Sequence, residues 1–130
     1  MIARFLFSVA RSRLGELIIG WSFARMSFLI PVDRLYETER VVAFRHPKPG
    51  HPTHILIVPK QKIRSLLALT ELDAPILQEV VLAAQHLVAE LGLEAGGFRL
   101  VVNGGAYQDV MQIHWHLISD ERSRHDPTTH

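Results

Sequence analysis

One segment of this 130-residue chain carries apolar residues at helical spacing over a long run, and β-branched runs flank it on both sides. Across residues 73–91, Ile76, Val80, Ala83, Ala84, Leu87, Val88 and Leu91 keep the i, i+4, i+7, i+8 spacing of one buried face. Gln78, Glu79, Gln85, His86 and Glu90 take the other face, so His86 reads as a solvated surface group. Asp73 offers an N-cap, Pro75 is tolerated in the first turn, and Gly92 stops the helix. Upstream, strands are predicted over 34–38 and 41–45 around a Glu39-Arg40 turn, and over 54–58, where Pro59 closes the run. Residues 63–69 predict one or two helical turns. Downstream, 98–103 and 111–118 predict two further strands. Three prolines and a glycine in His46-Pro-Lys-Pro-Gly-His-Pro52 exclude helix and central strand there, which leaves a loop. Strands, one helix, then strands again indicate an α+β domain, an antiparallel sheet of about five strands with the helix on one face. No internal repeat or linker divides it, and the length suits one core.

Residues 1–30 differ in character. They hold Arg4, Arg11, Arg13 and Arg25, a single acid, Glu16, and no lysine. Ile2, Phe5, Leu6, Val9, Leu17, Trp21 and Ala24 fall on one arc of a helix, with Arg4, Ser8, Arg11, Ser12, Gly15 and Ser22 opposite. The uncharged stretch from Leu17 to Ala24 is far short of the about 20 apolar residues that a membrane span requires. The first reading of this amphipathic extension is a helix packed on the domain. A membrane-surface helix and an organelle transit peptide are the alternatives. Beyond Ser119 the chain is polar without apolar period and is expected to fray. The expected division is therefore 1–30, 31–118 and 119–130, and a cytoplasmic location is the default in the absence of a convincing signal.

The chain has eight histidines and no cysteine. Thiolate nucleophiles, thiolate metal clusters and disulfides are thus excluded. A net charge of +1 gives no general reason to expect nucleic-acid or membrane binding. Histidine becomes the leading candidate for chemistry, since its unperturbed pKa lies near neutrality. Gln112, His114 and His116 are spaced by two. On a strand they share one face, opposite Ile113, Trp115 and Leu117. Such a stripe carries donors and acceptors but no fixed negative charge, which suits a phosphate better than a cation. His46, His51 and His54 form a second group, with Arg45, Lys48, Lys60 and Lys62 close in sequence. If the two strands share a sheet, five histidines can surround one site, His51 being the first candidate for a bystander. Asn103-Gly104-Gly105 supplies backbone that a ligand can approach closely.

The stretch Asn103-Gly-Gly…Gln108-Asp-Val-Met-Gln112-Ile-His114-Trp-His116-Leu-Ile118 resembles the signature of the histidine triad (HIT) family, His-φ-His-φ-His-φ-φ with φ apolar. Val42-Ala-Phe44…Pro52-Thr-His54-Ile-Leu-Ile-Val-Pro59-Lys60 resembles that family's upstream block, and the long helix falls between the two, as it does there. The resemblance covers about residues 31–118. It implies a small α+β homodimer that binds a nucleotide or nucleoside phosphate, with no cofactor and no metal. It implies hydrolysis or transfer of a nucleotidyl group, from phosphoramidates, dinucleoside polyphosphates or related anhydrides, through a nucleotidyl-histidine. His114 matches the family's nucleophile and His116 the histidine that holds the phosphate. His54 matches a histidine near the site and Asn103 an asparagine at its edge. Gln108, Asp109, Gln112 and His46 complete the expected ligand-binding set.

This chain departs from the pattern in several places. Gln112 stands at the first triad position and Asp109 where serine is frequent. His46 replaces a ribose-binding aspartate, Arg45 stands where histidine is usual, and Lys62 replaces a histidine. The loop between Asn103 and Gln108 is two residues shorter. A carboxylate at Asp109 should repel a phosphate unless it pairs with a base, and His46 is the expected partner. Two alternatives follow. One is a nucleotide- or phosphate-binding module without turnover on the same fold. The other is a metal site built on His114 and His116 with a third ligand from His46, His51, His54 or Asp109.

Overall fold

The computed structural model describes residues 34–122. The predicted N-terminal helix, and His125 and His130, lie outside them. Strands β1 (Arg34–Glu37), β2 (Val41–Arg45), β3 (Thr53–Pro59), β4 (Arg99–Val102) and β5 (Trp115–Ser119) form one antiparallel sheet. Their order is β1-β2-β3-β5-β4, with the single described α-helix, α1 (Ala74–Leu91), on one face. The α+β class and the one long helix are as expected. No helix among the described residues is long and apolar enough to cross a membrane.

β3 is the central strand, and its continuous apolar run follows from having both faces covered. On the helix side, Val41, Ala43, Ile55, Ile57, Trp115 and Leu117 pack against α1 through the periodic residues named above. Burying each large aliphatic side chain stabilises the fold by about 1.5–3 kcal/mol. On the opposite side Val42, Phe44, Leu56 and Val58 are buried as well. The β1–β2 turn is tied to the helix by a polar network. Thr38 Oγ1 donates to Glu79 Oε1 at 2.6 Å, and Arg40 Nη1 donates to Glu79 Oε2 at 2.6 Å.

α1 ends at Gly92, whose φ of 70° is the left-handed conformation that lets the helix stop without a Cβ penalty. Its start differs from expectation. The Asp73 side chain does not cap α1. It accepts from the Thr70 backbone N–H at 2.9 Å, in a capping box that closes the preceding turn, Glu71–Asp73. The helical turns expected over 63–69 reduce to one 3₁₀ turn, Leu66–Ala68.

The last strand also starts later than expected, at Trp115 rather than Met111. Before it, the chain runs along the end of β3 and the irregular stretch 60–64, and Ile113 N–H donates to Ile63 O at 2.7 Å. Backbone groups in such a stretch have no sheet ladder and must find other partners. Two glutamines provide them. Gln112 Nε2 donates to Pro59 O at 3.1 Å and Gln61 O at 2.9 Å, while its Oε1 accepts from Ile63 N–H at 3.1 Å. Gln108 Nε2 donates to Arg64 O at 2.7 Å and Val110 O at 2.9 Å. At the other end of β5, two hydroxyl groups bind backbone carbonyls outside the strand. Thr53 Oγ1 donates to Glu121 O at 2.6 Å, and Ser119 Oγ donates to Gly97 O at 2.7 Å.

Candidate active site

Strand pairing brings the two histidine groups together on the sheet face opposite α1. β3 and β5 are neighbours, with Leu56 opposite His116 and His54 opposite Ile118. His54 and His116 are thus diagonal neighbours on one face, a relationship that ring side chains span readily. His46 N–H donates to His54 O at 2.9 Å, so the start of the proline-rich loop extends the same row. Val101 of β4 lies opposite His116, which places Asn103 two residues further along that face.

Five imidazole rings form a connected array. Ring centroids lie 4.4 Å apart for His46 and His54, 5.1 Å for His54 and His116, and 5.0 Å for His114 and His116. His51, expected to stand aside, meets His54 edge-on at 5.4 Å and has Nδ1 3.8 Å from Asp120 Oδ1. His86 is separate, on the outer face of α1, where it pairs with Glu90 at 2.6 Å and lies against Tyr36.

Hydrogen bonds orient four of the five rings. His114 Nδ1 is 2.8 Å from the Gln112 carbonyl oxygen, which can only accept. Nδ1 therefore carries the proton and Nε2 keeps its lone pair. His46 Nδ1 accepts from Lys48 N–H at 2.9 Å, which leaves its proton on Nε2. His54 Nδ1 accepts from Gly50 N–H at 3.0 Å. His54 Nε2 lies 2.8 Å from His116 Nδ1, and Asn103 Nδ2 lies 3.5 Å from His116 Nε2.

The His54 and His116 rings stay neutral at pH 7. Burial, then the charges of His46, His116 and His51, pushes the His54 pKa down to about 3. Burial, then His114 and His46, pushes His116 down to about 4, against an upward pull from Asp109. His114 is lowered by burial, although its bond to the Gln112 carbonyl and the charge of Asp109 oppose the shift.

The expected ligand set divides. His46, His54, His114, His116 and Asn103 converge. Gln112 does not face a ligand. It is 1% exposed, and both ends of its carboxamide are bound to the stretch 59–63. Gln108 is also buried, its amide nitrogen committed to backbone carbonyls. Asp109 is exposed and acts electrostatically on His114 and His116, but no ion pair joins it to His46. His46 is turned instead towards the Lys48 amide. Gly104 and Gly105 border open space, and Gly105 has φ 58°, so the glycine there serves the turn as well as access. Sequence reasoning missed the backbone amides of Lys48 and Gly50, because no residue type marks which nitrogen a loop amide will meet. Among the described residues, no group of three or more His, Cys, Asp or Glu side chains is placed to hold a metal ion.

Comparison with known proteins agrees with this geometry. The HIT domain family model matches residues 28–123. An uncharacterized HIT-like protein of Synechocystis is 36% identical over 91 residues, 68% of this chain and 79% of that protein. A 14 kDa zinc-binding protein of Zea mays is 38% identical over 102 residues, 75% of this chain and 79% of that protein. The crystal structure of a HIT family hydrolase from Legionella pneumophila superposes with a TM-score of 0.70 at 31% identity, covering 77% of this chain and 91% of that one.

Proposed function

The chain belongs to the HIT domain family, and on that premise we propose that it is a nucleotidyl hydrolase or transferase that works through a nucleotidyl-histidine at His114. The observation that carries this reading is the bond between His114 Nδ1 and the Gln112 carbonyl, which leaves Nε2 as a neutral nucleophile. In the first step the Nε2 lone pair attacks the α-phosphorus of a bound nucleotide derivative. The P–Nε2 bond forms, the bond from phosphorus to the leaving group breaks, and that group departs with the electron pair and is protonated. In the second step water, or an acceptor hydroxyl, attacks phosphorus. The P–Nε2 electrons return to His114, and the attacking oxygen loses its proton. His116 and Asn103 donate to the phosphate oxygens, and preorganised donors of this kind supply the main stabilisation of the developing charge. His46 is assigned to the nucleoside end. Gln108 and Gln112 serve the site by fixing the backbone that carries His114.

The working form is proposed to be a homodimer. β4 is an edge strand of the described sheet, and beside it an apolar groove of about 370 Å³ runs between α1 and β4, lined by Val81, Val88, Phe98 and Leu100. A second copy would cover both the open edge and the groove.

A second reading, a binding module without turnover, is favoured by Asp109, whose carboxylate acts on both His114 and His116. Incubation with adenosine phosphoramidate and a panel of dinucleoside polyphosphates decides between them. Turnover, with a nucleotidyl adduct on the intact protein by mass that is lost in His114→Ala, supports the enzyme. Saturable binding without turnover or adduct supports the module.

A further inference from the structure

We propose that His54 is a positioning residue that fixes the tautomer of His116, in a relay that begins at the backbone N–H of Gly50. The inference follows from counting protons along three groups. The Gly50 amide can only donate, so the His54 Nδ1 that it reaches at 3.0 Å must be the bare nitrogen. A neutral imidazole carries one N–H, which in His54 is therefore on Nε2. That N–H points at His116 Nδ1, 2.8 Å away, so His116 Nδ1 is bare in turn. The proton of His116 is left on Nε2. A doubly protonated His54 would set its Nδ1–H against the Gly50 N–H, so the relay also selects the neutral ring. Asn103 completes the pattern. Its Nδ2 lies 3.5 Å from His116 Nε2, and two donors cannot bond each other, so an N–H on Nε2 requires the carboxamide turned over with Oδ1 as the near atom.

A backbone amide in one loop thus decides which face of a ring on another strand is a donor. Without His54, His116 is free to place its proton on Nδ1 and to turn a lone pair towards the phosphate position. That lone pair would meet phosphate oxygens with repulsion instead of a hydrogen bond. The catalytic consequence rests on the phosphoryl-transfer reading above, whereas the tautomer itself does not.

The test is long-range ¹H–¹⁵N correlation of the imidazole nitrogens in ¹⁵N-labelled protein near pH 7, with no ligand added. The expected wild-type result is a protonated Nε2 and bare Nδ1 for His54 and His116, and the reverse for His114. In His54→Leu, His116 becomes a mixture of tautomers, and kcat falls at least about tenfold (~1.4 kcal/mol in barrier) with KM nearly unchanged. His54→Gln, whose amide can accept from Gly50 and donate to His116, restores the Nε2–H form and most of the rate. Gly50→Ala keeps the amide, and its added Cβ would lie 3.8 Å from His54 Nδ1, an ordinary contact, so the assignments stay as in wild type. A wild-type His116 with its proton on Nδ1 overturns the proposal even if every variant fails to fold. So does a His54→Leu protein in which the His116 nitrogens are unchanged. If no substrate turns over, the enzyme reading fails while the nitrogen assignments still decide this one.

Discussion

His54 and His116 sit on neighbouring antiparallel strands, one diagonal step apart, with their facing nitrogens 2.8 Å from each other. Asp109 pulls His116 towards the charged form, and burial outweighs that pull. The pair therefore behaves as a neutral donor–acceptor couple, and the properties of the site follow from proton placement more than from net charge.

His114→Ala should lower turnover of any competent substrate by at least about 10³-fold, roughly 4 kcal/mol in barrier. The fold should persist, since His114 is only partly buried and no described element depends on its ring. Steady-state rates beside a thermal melt check both halves of this prediction. A melting temperature that falls together with activity would assign the loss to unfolding instead.

Gln112→Leu should destabilise the protein by about 3 kcal/mol, because it strands the Ile63 N–H and the Pro59 and Gln61 carbonyls in a buried setting. Gln112→His should cost less, since one ring supplies one donor and one acceptor, and should leave activity within about tenfold of wild type. Urea unfolding with a common m-value measures the first effect, and single-turnover rates measure the second.

The histidine shifts set a pH dependence with a definite sign. His54 titrates near 3 and His116 near 4 in the folded chain, against 6.5 when unfolded. The unfolded chain therefore binds these protons first, and stability should be constant above about pH 6.5, fall as the pH drops below it, and level off near pH 3–4. The acid limb of kcat/KM should have its midpoint below 6.5, since burial lowers His114 as well. An acid limb centred above 6.5 would contradict a neutral His114 as nucleophile.

Asp109→Asn should tighten binding of a nucleoside monophosphate by about threefold at low ionic strength, with the gain shrinking as salt is added. The carboxylate acts on both His114 and His116 and has no ion pair with His46. Isothermal titration at two salt concentrations tests this. Equal affinities for the two proteins would place Asp109 outside the field of the bound phosphate.

Much of the fold was readable because its signals are local. The periodic face of 73–91 and the stop at Gly92 specify α1, and the apolar run after Thr53 specifies a strand covered on both sides. The pairing of β3 with β5 was not readable, and the histidine array depends on it. The polar stripe at Gln112, His114 and His116 was legible as a stripe, yet only two of its members face the site. Gln112 and Ile113 bind the end of β3 and the irregular stretch 60–64 instead of extending β5, and a non-local contact of that kind leaves no periodicity behind. No ion pair joins Asp109 to His46 among the described residues, and no residue type in the loop marks which way the His46 ring turns.

The loop between β2 and β3 has one further consequence. Of residues 47–52, Pro47, Pro49 and Pro52 have no amide hydrogen, and the amides of Lys48 and Gly50 are each spent on one imidazole. The prolines thus work by exclusion. Every N–H they delete is one that cannot compete for His46 or His54, so few rival pairings exist for the loop to sample. Protonation order is settled when the chain folds, and an arriving ligand meets a site that no longer has that choice to make.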